Sequence, residues 1–247
     1  MSLTSDQRDS PLRSGYSEID SLIFDPDTIV NWNMKISDDK NLIRYTYELS
    51  QDIPPNYIEV QNFNEEQKQY TDSALSYIDR FTGLNHQQED DPSQADLLFY
   101  NANLSEGTSG MSEASIGWTV NGRTGEIGES TIRSFLFMDS DADMTSGGYG
   151  PGTYWYETLL HELGHALGLA HPFHAGTISP HHTFGSMDEM GTKARDSFIY
   201  TGMAYGFKGE TDKPDTFNST FMIDDIATLQ KLYGSNTSFS SGNNKYT

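Results

Sequence analysis

The chain has 247 residues, enough for one domain whose core needs no covalent staple. It contains no cysteine, which excludes disulfide scaffolds, thiolate zinc sites, iron–sulfur clusters and cysteine nucleophiles. Its 36 Asp and Glu against 15 Lys and Arg give a net charge of −21, which repels phosphate backbones and argues against a nucleic-acid partner, while 12% aromatic residues argue against wholesale disorder.

Residues 1–14 are polar and read as a flexible arm, with no apolar run of the kind a secretory signal peptide carries. No stretch approaches the roughly 18–20 apolar residues that span a bilayer, so no membrane partner is expected. The segment 42–49 alternates, with Ile43, Tyr45, Tyr47 and Leu49 on one face, and predicts a half-buried strand. Residues 64–82 carry a helical stripe of Tyr70, Ala74, Tyr77, Ile78 and Phe81, with Asn64 as N-cap and Gln67 three residues on. Short strands are predicted at 97–100, 114–120 and 134–138. Glycine-rich punctuation at 147–152 precedes a helix from about 153 to 167, and a loop-rich region covers about 172–221. A last helix runs from about 224 to 233, with acids in its first turn and Gly234 as its stop; the tail 236–247 reads as frayed. This order of elements predicts one α+β domain over 15–235.

The stretch that carries chemistry is His161-Glu162-Leu163-Gly164-His165-Ala166-Leu167-Gly168-Leu169-Ala170-His171-Pro172. On a helix, His161 and His165 fall roughly 40° apart, one turn along the same face, so both imidazoles can reach one ion. Tyr156, Leu159, Leu160, Leu163 and Leu167 fall on the opposite face. Glu162 lies about 100° around from His161, placed to reach a water at the ion rather than to be a ligand. Gly168 can take positive φ, end the helix and let His171 swing back as third ligand. Three neutral imidazoles leave a fourth position open, the geometry of catalytic rather than structural zinc.

This pattern resembles the metzincin zinc-peptidase motif, and Pro172 directly after the third histidine resembles its serralysin branch. Thr201-Gly202-Met203-Ala204-Tyr205 is similar to the Met-turn beneath the zinc of those enzymes. Ser14 to Leu22 is similar to the start of mature serralysins, and Met222 to Gly234 to the helix that closes their catalytic domain. The resemblance implies a zincin-like fold: a twisted mixed sheet, a central zinc-binding helix and a C-terminal helix. The part before about residue 170 would lie above the active site and 171–235 below it. It implies a zinc-dependent endopeptidase with Zn2+ on His161, His165 and His171, and Glu162 as general base. Tyr205 would be a fifth ligand or oxyanion donor, and Met203 an apolar floor. Serralysins normally continue into a calcium-binding β-roll; the sequence ends 13 residues after Gly234, so Ca2+ has no support from that source. The same resemblance implies protein or peptide substrates, room for a proteinaceous inhibitor, a monomer, and secretion to the extracellular side. A selective protease effector acting on one protein, or a non-catalytic binding protein on the same shell, remain the alternatives.

An extended substrate would pair with an exposed strand edge. Ala114, Ser115, Ile116, Gly117 and Trp118 are the candidate for it, equally readable as one more strand. His174, His181 and His182 read as solvated loop residues and His86 as a surface residue at a helix end. Asp139-Ser140-Asp141-Ala142-Asp143 begins like a calcium loop, but Met144 and Gly150 break the pattern at its sixth and twelfth positions. The acidic pairs 65–66, 89–91 and 224–225 read as solvated faces or helix N-terminal charges.

Overall fold

The computed structural model describes residues 14–23, 32, 41–120, 122–123, 127–140, 148–174, 177, 195–206 and 217–239. Among them, a mixed six-stranded sheet is joined by four helices. In chain order these are α1 (Ser17–Asp20), β1 (Leu42–Thr46), β2 (Ile58–Asn62), α2 (Glu65–Phe81), β3 (Asn85–Gln88), β4 (Leu97–Asn103), β5 (Gly110–Val120), β6 (Ile127–Asp139), α3 (Tyr154–Ala166) and α4 (Ile223–Tyr233). This mixed architecture is compatible with the α+β expectation.

The sheet order is β3-β1-β4-β6-β5, with β2 pairing β4 beside β1. β1, β3, β4 and β6 run parallel; β5 turns back antiparallel along β6, with Ala114 opposite Ser134, and is therefore an edge of the sheet. β4 is the central strand, and Leu97, Leu98, Phe99 and Tyr100 are all fully buried. A continuous apolar run suits a strand covered on both faces. Leu97 and Phe99 join the helix-side core with Leu75, Ile78, Leu159 and Leu163. Leu98, Tyr100 and Ala102 join Phe135 and Phe137 in a smaller cluster on the far face, where the Tyr57 ring stacks on Phe137.

α2 begins as its residues require. The Asn64 side chain accepts from Gln67 N at 2.9 Å and Gln67 Oε1 accepts from Asn64 N at 2.9 Å, a reciprocal capping box. Gln67 then bonds Asn101 of β4 at 2.7 Å, so the cap also docks the helix on the sheet. The Tyr45 and Tyr47 hydroxyls both donate to Asp72 of α2, at 2.9 and 2.7 Å.

The sheet is larger than its apolar patterning indicates. β5 and β6 extend well beyond 114–120 and 134–138, and β2 and β3 are additional strands. Leu49 lies past the end of β1 and is 48% exposed. His86 is not at the surface: it lies in β3, its imidazole is buried, and its Nδ1 is 2.6 Å from Asp79 of α2. The strand's own pairing with β1 brings it under α2, which short-range spacing cannot register. Asp224 and Asp225 do sit in the first turn of α4, but both are buried rather than solvated. Glu65 and Glu66 are exposed, as read. His181, His182 and most of the acidic segment 139–143 lie outside the described residues. Among the described residues no helix is long and apolar enough to cross a membrane.

Candidate metal centre and its cleft

α3 supplies two of the three histidines. Its N-cap Thr153 accepts from Tyr156 N, and Tyr156, Leu159, Leu160 and Leu163 bury its apolar face. At the other end Gly168 takes φ 89°, open to glycine at no steric cost. The chain reverses there: Leu169 N bonds Gly164 O at 2.8 Å and Leu169 bridges to Ile23 near α1. His171 returns to the helix face within three residues.

The three imidazoles meet. His171 Nε2 is 3.1 Å from His161 Nε2 and 3.0 Å from His165 Nε2. Four-coordinate zinc with Zn–N near 2.0–2.1 Å sets its ligand nitrogens about 3.3 Å apart, so the spacing fits a single ion within a few tenths of an ångström. The outer nitrogens fix the tautomers. His161 Nδ1 lies 2.7 Å from Gly202 O, and His165 Nδ1 lies 2.9 Å from Leu169 O. A carbonyl only accepts, so both Nδ1 atoms carry the proton and both Nε2 lone pairs converge on His171. A single cation placed between the three Nε2 atoms satisfies these lone pairs together. Burial pushes His161 down to about 3 and His165 to about 4, and holds His171 lower still, so all three are neutral donors near neutral pH.

The rings are packed from outside. Phe173 stacks on His171 at 5.0 Å, and the Tyr205 ring lies 4.4 Å from His171 and 5.5 Å from His161. Tyr205 remains 47% exposed, its hydroxyl pushed up to about 12 by burial and by the charge of Glu162. Met203 is fully buried beneath the histidines. A Cβ built on Gly164 would come within 2.5 Å of Met203 Sδ, so this glycine is what lets the sulfur approach the helix. The turn 201–205 is held by Asp225 of α4, whose carboxylate accepts from Thr201 Oγ1 at 2.5 Å, Gly202 N at 2.8 Å and Met222 N at 2.9 Å. Gly202 thus accepts from His161 on one side and donates to Asp225 on the other. Arg195 pairs with the neighbouring Asp224.

A cleft of about 1000 Å³ opens over the histidines, between α3 and the start of β5. Strand and helix touch there: a Cβ on Gly110 would meet Glu162 Cγ at 2.7 Å and Thr158 Cγ2 at 2.9 Å, and Ser109 Oγ bonds the Tyr154 hydroxyl at 2.7 Å. Glu162 faces this cleft, 7% exposed; burial raises its carboxyl to about 8, against a hydrogen bond from the Ser112 backbone. The part of β5 that lines the cleft is Gly110–Ala114, while Ser115–Trp118 continue along the strand away from it. His174 also borders the cleft and is exposed. Glu157 lines it too, 6% exposed; burial, then Asp225 and Glu162, raise its carboxyl to about 8.

Sequence reasoning passed over Gly110 and Glu157, gave Gly164 no role, and read Asp225 as a solvated face or helix N-terminal charge. Asp225 carried a weak signal: an acid three residues after Met222, in the position that reaches back to a helix start. The glycines act through distant partners and carried none.

The chain matches no family model. It is 38% identical to Serralysin C of Dickeya chrysanthemi over 101 residues, 39% of this chain and 20% of that protein. It is 37% identical to Metalloprotease AprA of Pseudomonas entomophila over 105 residues, again 39% and 20% of the two chains. A longer match, 27% identical over 211 residues, covers 83% of this chain and 40% of Serralysin of Photorhabdus luminescens. The chain therefore spans about one fifth to two fifths of the length of these curated relatives. Its resemblance is to serralysin-like metalloproteases.

Proposed function

We propose that the protein is a zinc-dependent endopeptidase that hydrolyses internal peptide bonds. The observation that carries this reading is the convergence of three neutral imidazole nitrogens, two of them with tautomers set by backbone carbonyls, beside a buried carboxylate in an open cleft. His161, His165 and His171 would hold the ion. Zinc bound there supplies Lewis-acid polarisation of a carbonyl and of water.

The remaining chemistry belongs to the chain. Glu162 takes the proton of the attacking water and delivers it to the leaving amine nitrogen. The Tyr205 hydroxyl, on the exposed side of the histidines, donates to the oxygen on which negative charge develops. The substrate backbone lies extended along the free edge of β5, whose Gly110–Ala114 segment borders the cleft. Met203 and Asp225 act only through position, the first under the histidines and the second through Gly202. Protein or peptide substrates and an extracellular site of action follow from the resemblance and belong to the same proposal.

The test is direct. Chelation should abolish cleavage of a denatured protein substrate and zinc should restore it. Glu162→Ala should keep one equivalent of zinc by metal analysis and lose about three orders of magnitude in kcat, within the range for removal of a general base. A zinc-loaded Glu162→Ala protein that cleaves at the wild-type rate refutes the assignment.

A further inference from the structure

Glu157 has no task in the chemistry above, yet it lines the same cleft one helical turn before His161. It is 6% exposed, and its Oε1 has no hydrogen-bond partner among the described residues. A buried, unpaired carboxylate is costly, and proteins ordinarily pair it with a cation or a donor. Here the charged groups acting on it are Asp225 and Glu162, both acids and both buried. Among the described residues no Lys or Arg lines the cleft. An ion at the histidines would sit about one turn along α3 and supply no hydrogen-bond donor to Oε1. Nothing among the described residues supplies the missing partner, which leaves what enters the cleft to supply it.

The walls say what kind of partner fits. Tyr154 precedes Glu157 on the same helix face, and its ring meets Phe217 edge-on at 5.4 Å. Both rings border the cleft. The Thr158 hydroxyl is already donated to Tyr154 O at 3.0 Å. One free carboxylate oxygen among aromatic walls is too few oxygens for a divalent cation such as calcium, which takes 6–8. It suits a long side chain with an apolar stem and a cationic tip.

We propose that Glu157 is a specificity-determining residue: the cleft receives a Lys or Arg side chain of the substrate, beside the bond to be cut, with its charged end on the Glu157 carboxylate. This inference rests on the peptidase reading of the site. The net charge of −21 attracts such cationic peptides from a distance.

The experiment uses zinc-loaded protein and a peptide library degenerate around the scissile bond, with cut sites read by mass spectrometry. One flanking position should favour Lys or Arg over norleucine by about tenfold or more, the scale of a charged hydrogen bond gained in a buried site. Glu157→Gln should reduce the ratio of kcat/KM for matched lysine and norleucine peptides by about 10- to 100-fold. A second readout needs no turnover: two tripeptide hydroxamates that differ only in lysine for norleucine should bind wild type with the same preference and Glu157→Gln without it. Equal wild-type ratios in cleavage and binding overturn the inference, whether or not the variant folds. So does a folded Glu157→Gln that keeps the preference. Cleavage without basic preference leaves the peptidase reading standing, whereas a zinc-loaded protein that cuts no peptide and binds neither hydroxamate overturns both.

Discussion

Gly164→Ala isolates the contact between the helix that carries His161 and His165 and the turn 201–205. In an ordinary helix interior this change stabilises by about 1 kcal/mol, because alanine is the better helix former. Here the new methyl would lie 2.5 Å from Met203 Sδ, 3.4 Å from Met203 Cε and 3.5 Å from Leu169 Cδ1. Heavy-atom contacts settle near 3.5–4.0 Å, so the sulfur must retreat by about 1 Å. It has little room to do so. Met203 is fully buried, its N donates to Thr201 Oγ1 at 3.0 Å, and Gly202 N is held by Asp225. Overpacking of a tight core costs about 1–3 kcal/mol, so after the propensity gain the net change is a destabilisation of about 0–2 kcal/mol. The larger effect falls on the metal. Displacing the turn moves Gly202 O, which orients His161, and losing such an outer partner lowers metal affinity by about 10- to 100-fold. Urea unfolding of the metal-free protein and zinc competition with a chromophoric chelator measure the two quantities. Combining Gly164→Ala with Met203→Ala should show a favourable coupling of about 0.5–3 kcal/mol, since the second change removes the clashing group. A Gly164→Ala protein that is about 1 kcal/mol more stable and binds zinc as tightly as wild type refutes the reasoning.

Gly110→Ala should displace Glu162, whose Cγ would lie 2.7 Å from the new methyl; kcat should fall by about tenfold or more while zinc content, read by metal analysis, is unchanged. Burial holds the Asp225 carboxyl at about 6, above its unfolded value near 3.9, so the folded state keeps this proton longer than the unfolded state does. Its contribution to stability is thus full below about pH 4 and is lost as pH rises to about 6; Asp225→Asn should flatten that part of the stability–pH curve, measured by urea unfolding of the metal-free protein. Asn64→Ala removes the acceptor of Gln67 N and should cost about 1 kcal/mol in the same assay, with no change in zinc affinity. Zinc at a thousandfold its Kd should raise stability by about 4 kcal/mol, and a chelator should reverse the gain in a thermal scan.

The legible parts of the molecule are those whose causes are local. The capping box of Asn64 and Gln67, the sided helix around His161 and His165, and the reversal at Gly168 each follow from residues a few positions apart. β4 is legible as a strand because it is buried on both faces and reads as an apolar run. The outer parts of β5 and β6 are not, since Ser112, Glu113 and Thr131 give no apolar alternation and the pairing of the two strands carries them on. β3, with the sequence Asn-His-Gln-Gln, is a polar edge defined by its partner β1. Asp224 and Asp225 show the limit most clearly. In sequence they are two acids at a helix start; in space one closes the turn under the histidines and the other pairs with Arg195. Burial of a charge is decided by segments far away in the chain, and spacing within a helix carries no record of them.

The hold of α4 on the histidines has a consequence for how the protein comes into being. His161 is oriented by Gly202, 41 residues later, and Gly202 by Asp225, another 23 residues on. Tyr233, near the end of the same helix, donates its hydroxyl to Leu167 O where α3 stops, at 2.5 Å. A growing chain can therefore present all three histidines before either anchor has been synthesised. Contacts of such long sequence separation form late, because the loop between them must first be closed. The helix can form early, but the ordered triad waits for the residues up to 233, so competence to hold a metal tightly arrives only once α4 has docked.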